Sequence, residues 1–561
     1  MTAPKPDRPA RDLPPSDATA ATIVLSRAGD AERGLRFEGA EISWADVAAA
    51  AQVRAALLAA QRRGGPPHVA LLLENVPEMV YLLAGCALSG SVGVLVNGTR
   101  RGDELARDIR ATDCELVITD DAHAGLLEGL DLGAARGRLV SVDSDAYGAL
   151  VAAHADAPAP AELPDERDLF LLLFTSGSTG APKAVKVSQA RAARTGGMGF
   201  RGKDVLYCSM PLFHGNALFS CLFPALGSGA TLVLRRKFSA SAFIPEIREH
   251  GASFANTVGR ALSYVLATPP RDDDREHRLK VVLGPESSPV DVAAFEQRFG
   301  CMVVTGYGSS ENAVILVPGP GAPRDALGVP APGQDIAVVD PATGEERPRA
   351  RFDDGGRLLN SDEAVGEIVG RNALERFEGY YNNDEATSER VRNGWYWSGD
   401  LGYRDEAGVF FFAGRTSDWL RVDGENFAAA PVERVVLRAP GVSGGVVFGV
   451  PDERTIDDQV MAVLEVADPT TFDVVAFERW LGAQRDLGTK WMPRYVRLVT
   501  ALPVGATDKV DRAPLRATRW DADPVWWRPE RGESLALMTD ADRAVLIGRF
   551  EANGRSAAIS R

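Results

Sequence analysis

Cysteine, histidine and basic charge are the scarce commodities of this 561-residue chain. Its five cysteines (Cys86, Cys114, Cys208, Cys221 and Cys301) lie far apart and form no Cys-x-x-Cys pair. That excludes a disulfide framework and a structural zinc site, and it points to a reducing compartment, the cytoplasm. Each cysteine reads as a small buried hydrophobe. The six histidines (68, 123, 154, 214, 250 and 277) show no metal-ligand spacing. Lys and Arg number 62 against 77 Asp and Glu, a formal net charge of −15. An acidic chain of this kind excludes nucleic acid as a principal partner, because a phosphate backbone demands a basic surface. The amino terminus lacks an apolar h-region: residues 1–20, MTAPKPDRPARDLPPSDATA, carry proline and charge and read as a disordered leader instead of a signal peptide. A long unbroken apolar run is also missing. The stretch from Met79 to Val96 is uncharged, but Gly85, Ser89, Gly90, Ser91 and Gly93 interrupt it. It divides into a buried helix (MVYLLAGCAL), a turn and a buried strand (VGVLVN), so no transmembrane span is expected.

What is present is ordinary globular material, 45% hydrophobic and 25% charged. At about 150 residues per domain the length suggests three or four domain-sized units. From about Ile23 to Leu283, continuously apolar segments such as VALLL (69–73), ELVITD (115–120), LFLLLF (169–174) and TLVLRR (231–236) alternate with helical patterns such as WADVAAAAQVRAALLAAQRR (44–63). Strands apolar on both faces and separated by helices imply parallel sheets covered on both sides, an α/β fold. The expected organisation is a large domain over 21–415 with a β-rich subdomain at about 314–415, a small α+β domain over 416–520, and an appendage over 521–561. Within that appendage Thr539 and Asp542 suit a helix start, and Asn553-Gly554 a helix end. Trp520, Trp526 and Trp527 are expected to pack against the small domain.

Four segments carry chemistry. In LLLFTSGSTGAPKAVKVS (171–188) a buried strand delivers the chain into Thr175, Ser176, Gly177, Ser178, Thr179 and Gly180, with Lys183 close behind. Glycines let backbone N–H groups crowd an anion, hydroxyls reach phosphate oxygens or Mg²⁺, and lysine adds positive charge. The spacing differs from a Walker A loop. TGYGSSEN (305–312) follows an apolar run, where α/β sheets bind ligands; Tyr307 could stack on a base and Glu311 could hold Mg²⁺. Between 394 and 427, Asp400 could accept bonds from ribose hydroxyls and Arg415 could reach a sugar or phosphate. In LPVGATDKVDRAPL (502–515), Lys509 sits in a Gly/Thr loop before an apparent helix. GVSGG (441–445) matches the hydrolase elbow pattern, but a helical pattern precedes it and a strand follows, the reverse of what that elbow requires.

In this order, and with MPLFHGNA (210–217), LGPES (283–287), GEIVG (366–370) and KWMPRYVRLV (490–499), the segments resemble the superfamily of adenylate-forming enzymes, which includes acyl-CoA synthetases, luciferases and peptide-synthetase adenylation domains. The likeness covers about residues 25–515. FEGYYNNDEAT and DWLRVDGENFAAAPVE are most similar to fatty-acid-transport-protein-like and actinobacterial long-chain fatty-acid–CoA ligases, a mycobacterial group of which includes members that act on steroid side-chain acids. The resemblance implies ATP, Mg²⁺ and coenzyme A as reactants or cofactors and a small carboxylic acid as substrate. It implies that Thr175 to Gly180 and Lys183 hold the ATP phosphates, with Thr179 and Glu311 near Mg²⁺. Tyr307, in the Gly306–Ser310 loop with Gly308 and Ser309, would stack on adenine against Gly284, Pro285 and Glu286. Asp400 and Arg415 would hold ribose, and Lys509 would bridge carboxylate and α-phosphate. Phe213, His214 and Val258 would border the acyl pocket, Gly424 and Glu425 would meet CoA, and Ser417 and Asp418 would form the hinge.

Several residues depart from the family pattern. Ala184 stands where a glycine is usual, Ser417 at the hinge position, and Val504, Gly505 and Asp508 alter the loop before Lys509. Two other readings remain beside the CoA ligase. One is an acyl-AMP ligase that loads a carrier protein, disfavoured because no carrier domain is visible. The other is a nucleotide- or acyl-binding protein with weakened turnover, suggested by Asp508 beside Lys509. The sequence leaves the acid, the oligomeric state and peripheral membrane contact open.

Overall fold

The computed structural model describes residues 18–559 apart from 176–182, 198, 286, 288, 320, 324–325, 354–357, 416–418, 423–424, 456, 485–486, 488–490, 505–509, 523 and 531. For 259–260, 289, 362, 415, 419, 421, 425–428 and 557 it describes the backbone alone. The chain divides into two compact units, Met1–Ala313 with Leu374–Glu389, and Val314–Ala373 with Arg390–Arg561.

The first unit contains β1 (Gly34–Phe37), β2 (Ala40–Ser43), β3 (His68–Leu72), β4 (Val92–Leu95), β5 (Leu116–Thr119), β6 (Leu139–Ser141), β7 (Leu169–Thr175), β8 (Lys183–Ser188), β9 (Val205–Cys208), β10 (Thr231–Leu234), β11 (Phe254–Asn256), β12 (Val281–Leu283) and β13 (Met302–Val304). They form two sheets, ordered β6-β5-β3-β4-β7-β8 and β13-β12-β11-β9-β10-β1-β2. Pairing is parallel except at one edge of each, where β8 runs antiparallel to β7 and β2 to β1. β3, β4, β5 and β10 are buried along their whole length, as strands covered on both faces must be. Tyr207, Val233, Ala255, Val282 and Val303 present one face of the second sheet to Phe243, Ile247, Phe295 and Phe299 of the helices Ala240–His250 and Pro289–Phe299.

Local chemistry sets the helix ends. Ser43 and Asp46 form a capping box at the start of Trp44–Ala60. Pro77 opens the helix Pro77–Ser89, and Gly90, at φ 67°, closes it. That helix and β4 divide the long uncharged run as its glycines and serines foretell. Among the described residues no helix is long and apolar enough to cross a membrane. All five cysteines are buried, and burial pushes the thiols of Cys86, Cys114 and Cys301 up to about 12.

The second unit contains β14 (Leu316–Val317), β15 (Val329–Pro330), β16 (Ile336–Val339), β17 (Gly366–Gly370), β18 (Val391–Arg392), β19 (Trp395–Arg404), β20 (Phe410–Arg415), β21 (Trp419–Val422), β22 (Glu425–Ala428), β23 (Val442–Pro451), β24 (Asp458–Val466), β25 (Tyr495–Val499), β26 (Val525–Trp527) and β27 (Ala536–Leu537). One sheet runs β16-β17-β19-β18 with β20 also on β19, and another runs β23-β24-β25-β26-β27. The last two strands extend that second sheet with residues from the tail. Trp520 and Trp527 stack on Tyr495 at 5.2 and 6.3 Å, and Phe550 lies 6.0 Å from Trp520. Phe550 belongs to the helix Asp540–Ala552, which starts in a capping box of Thr539 and Asp542 and ends at Asn553. Ser443 lies inside β23, so the GVSGG match has no elbow geometry.

A buried ion cluster fastens this tail. Glu453 is 0% exposed. Arg494 grips it with two bonds of 2.8 and 2.9 Å, and Arg549 of the tail helix approaches to 3.5 Å. Burial alone raises a carboxyl, but the Arg494 bonds prevail and hold Glu453 below its ordinary range. Such a depressed group stabilises the fold above its unfolded value, and that contribution is lost as pH falls through the folded one. Arg494→Leu removes both short bonds and leaves Glu453 only the longer contacts of Arg549 and Arg454 at 3.5 and 3.7 Å, and is expected to cost about 3 kcal/mol. Urea unfolding between pH 7 and 3 checks this, because the Glu453 share of the wild-type acid fall should be missing from the variant.

Candidate functional site

The site grows from the carboxyl ends of the first unit's parallel strands. β7 ends at Thr175, whose register partner across the β7–β8 hairpin is Lys183. The Thr175 hydroxyl donates to the Lys183 carbonyl at 3.5 Å. These two residues are the feet of the Ser/Gly loop. The loop residues Ser176, Gly177, Ser178, Thr179 and Gly180 lie outside the described residues. The Lys183 side chain is only 9% exposed, with Nζ 3.4 Å from Glu389 and 5.4 Å from the centre of the Tyr380 ring.

Tyr380 faces Glu311 as well. Its hydroxyl donates to Glu311 Oε1 at 2.8 Å, and Glu311 is 7% exposed. A cation and a carboxylate from two separate motifs therefore meet on one aromatic side chain, which the sequence analysis gave no role. Glu311 ends the loop after β13, in which Gly306, Tyr307 and Ser310 are half-buried and Gly308 and Ser309 exposed. Asn312, at φ 58°, turns the chain back and donates its N–H to the Ser309 carbonyl. Gly284 follows β12, and its N–H donates to the Val304 carbonyl at 3.0 Å. A Cβ at Gly284 would lie 2.9 Å from Ser287 Oγ and 3.4 Å from Thr257 Oγ1, so a side chain here would have to move the Ser287 hydroxyl. Pro285 follows it; Glu286 lies outside the described residues.

Phe213 and His214, both half-buried, sit on the loop after β9. Asn75, at the end of β3 and missed by sequence reading, clamps that loop. Its amide donates to the carbonyls of Met210 (2.8 Å) and Arg235 (3.1 Å) and accepts from the Leu212 N–H (2.8 Å). Asn216 then donates to the Thr257 carbonyl at 3.0 Å, beside the buried Val258. One side chain thus ties both sheets, and a second ties the loop to β11.

In the second unit, Asp400 on β19 is the register partner of Arg415 on β20. Gly399 precedes it at φ 75°, a left-handed backbone that favours glycine, and a Cβ there would also have to displace Arg390 Nη1, 2.3 Å away. The Gly399 N–H donates to Glu367 Oε1 at 2.8 Å and the Asp400 N–H to Ser398 Oγ at 3.0 Å. Burial pushes the Glu367 carboxyl above its usual range. Ser417, Asp418, Gly424 and Lys509 lie outside the described residues, as do the side chains of Arg415 and Glu425.

Among the described residues no group of three or more His, Cys, Asp and Glu is arranged to hold a metal ion. Glu311, a single hard oxygen donor, suits an ion that takes one carboxylate and completes its shell with phosphate and water, as Mg²⁺ does.

The family of AMP-binding enzymes matches residues 20–381, which includes the loop at 175–183, Tyr307 and Glu311. The chain belongs to that family. It is 50% identical over 546 residues to a steroid-22-oyl-CoA synthetase of Rhodococcus jostii, covering 96% of this chain and 98% of the relative. It is 42% identical over 521 residues to a medium/long-chain-fatty-acid–CoA ligase of Mycobacterium tuberculosis, covering 92% and 99%. Among solved structures, ATP-bound MatB from Rhodopseudomonas palustris shares the fold, with a TM-score of 0.77 at 23% identity over 90% of this chain and 99% of that one. An anthranilate CoA ligase in complex with anthranoyl-AMP does so with a TM-score of 0.76 at 21% identity over 90% and 98%.

Removing the Asn75 clamp takes the amide bonds from the Met210 and Arg235 carbonyls and leaves the buried Leu212 N–H without its acceptor. Asn75→Leu is expected to lower stability by about 1–3 kcal/mol. In steady-state assays of the variant, KM for the acid should rise more than KM for ATP.

Proposed function

We propose that this family member is an ATP-dependent acyl-CoA ligase that activates an apolar carboxylic acid, a long-chain fatty acid or a steroid side-chain acid, as its acyl-adenylate. The observation that carries the proposal is the meeting of Lys183 and Glu311 on Tyr380 at the foot of the Ser/Gly loop. Such a pair offers ATP a cation for its phosphates and a carboxylate for their metal. Kinship over nearly the whole chain with ligases of steroid and fatty acids supports the class of acid.

In the first step a carboxylate oxygen attacks the α-phosphorus and pyrophosphate leaves. In the second a CoA thiolate attacks the acyl carbon and AMP leaves. Thr175 to Gly180 and Lys183 hold the β- and γ-phosphates, and Tyr307 stacks on adenine with Gly284, Pro285 and Glu286 opposite. Thr179 and Glu311 would hold Mg²⁺, which, when bound, neutralises phosphate charge. Asp400 and Arg415 take the ribose, and Lys509 bridges the two anions of the first step, where neutralisation matters most. Phe213, His214 and Val258 border the acyl group. Residues 416–520 act as the mobile small domain, turning at Ser417 and Asp418 to bring Gly424 and Glu425 to CoA. A cytoplasmic setting, with acids drawn from the bilayer surface, belongs to the same proposal.

Acid-dependent ATP–pyrophosphate exchange over short, medium, long-chain and steroid acids tests it. One apolar class should support exchange, and thioester should follow when CoA is added. Lys509→Ala should lower exchange by about 10²–10³-fold. Tyr380→Phe, which removes one hydrogen bond from Glu311, should raise the Mg²⁺ requirement by about 10-fold. Exchange with no acid at all would overturn the ligase reading, and exchange without thioester would point to carrier loading.

A further inference from the structure

Arg191 is the third residue of the helix Gln189–Thr195, which begins where β8 ends. A cation is electrostatically misplaced in a first helical turn, where unpaired N–H groups already carry positive potential. Burial adds a further penalty, and Arg191 is 1% exposed. Its placement is explained by what it grips. Nη1 donates to the Lys186 carbonyl at 2.9 Å, and Nη2 donates to the Ser310 carbonyl. The guanidinium lies 5.3 Å from the centre of the Phe219 ring. Its own N–H donates to Ser188 Oγ, and the Ser188 hydroxyl donates to Glu378 at 2.6 Å. One buried cation therefore joins three stretches of chain: β8 three residues beyond Lys183, the loop one residue before Glu311, and the π-helical turn Leu218–Leu222 that follows His214.

We infer that Arg191 is a positioning residue for adenylation, fixing the spacing between the strand that carries Lys183 and the loop that carries Glu311. The inference rests on the ligase reading above. Arg191 touches neither ATP nor acid in this role; it sets where the two groups that meet the phosphates stand. The fork meets the two carbonyls with two separate nitrogens, whereas lysine offers one nitrogen on a shorter reach, so lysine is a poor substitute. A shift of about 1 Å between reacting groups costs on the order of 10²-fold in rate. Thioester formation from acyl-AMP occurs after pyrophosphate has left, so the Lys183–Glu311 spacing no longer matters there.

The two half-reactions are measured separately in Arg191→Lys and Arg191→Met, with folded enzyme quantified by thermal denaturation. Pyrophosphate exchange should fall about 10²-fold, with KM for MgATP raised and KM for the acid held within about twofold. Conversion of supplied acyl-AMP and CoA to thioester should change by less than about threefold. Phe219→Leu keeps the fork and should leave KM for MgATP unaltered. Exchange preserved in Arg191→Lys, or equal losses in both half-reactions, would overturn the inference. A wild-type enzyme that makes thioester from acyl-AMP but shows no exchange would instead sink the ligase reading on which it rests.

Discussion

Everything polar in the first unit is constrained by strands that are buried on both faces. β3, β4, β5 and β10 have no solvent side, so no charged group can be carried along them without stranding it in hydrocarbon. Function is confined to the points where strands end. Asn75 follows β3, Thr175 closes β7, Phe213 and His214 follow β9, Gly284 follows β12, and Gly306 to Glu311 follow β13. Because parallel strands end on one side of their sheet, loops far apart in sequence arrive at one edge. The remaining requirement is to lock them together. Asn75 and Arg191 do so through backbone carbonyls, and a carbonyl is available whatever side chain evolution places at that position.

The second unit meets the same need differently. Its antiparallel sheet can expose one face, which leaves Asp400 half-buried in mid-strand. Regular pairing would simply alternate side chains, and two irregularities break that pattern: the β17–β19 register shifts between Glu367 and Val369, and the β19–β20 register shifts between Leu401 and Gly402. Glu367, turned inward, takes the Gly399 N–H and so fixes the backbone just before Asp400. Its charge is held beside Arg392 at 3.2 Å, an arrangement in which burial and pairing oppose each other. The Glu453 cluster shows the opposite balance, with two good arginine bonds outweighing burial.

Much of this fold was legible because its determinants are local. Apolar runs such as LFLLLF and TLVLRR became β7 and β10, glycines divided the Met79–Val96 stretch where they should, and Thr539 capped the tail helix. The motif loops were legible because unusual composition directly after a buried strand is itself a signal. Asn75, Arg191 and Tyr380 were not legible as site residues. Each acts through bonds to residues distant in sequence: 135 to 160 residues for Asn75, 119 from Arg191 to Ser310 and 69 from Tyr380 to Glu311. No periodicity or spacing encodes such a bond. The pairing of β25 with β26 was invisible for the same reason, since the tail's strands join a sheet whose other members lie well upstream.

Two departures from the family pattern can be weighed physically. Ala184 replaces a glycine, yet it lies on β8, buried, opposite Phe174 and with its methyl in the core beside Leu172. An extended strand imposes no glycine-only backbone, so the methyl adds packing at no conformational cost. Charge is the harder problem. A chain of net charge −15 repels ATP, a carboxylate and CoA alike, so its local cations must be both oriented and available. Lys183 meets both demands. The Tyr380 ring lies 5.4 Å from its Nζ, while its acidic partner at 3.4 Å, Glu389, is 56% exposed. An ion pair open to water on one side is weak, so under the proposed role of Lys183 an incoming phosphate can displace Glu389.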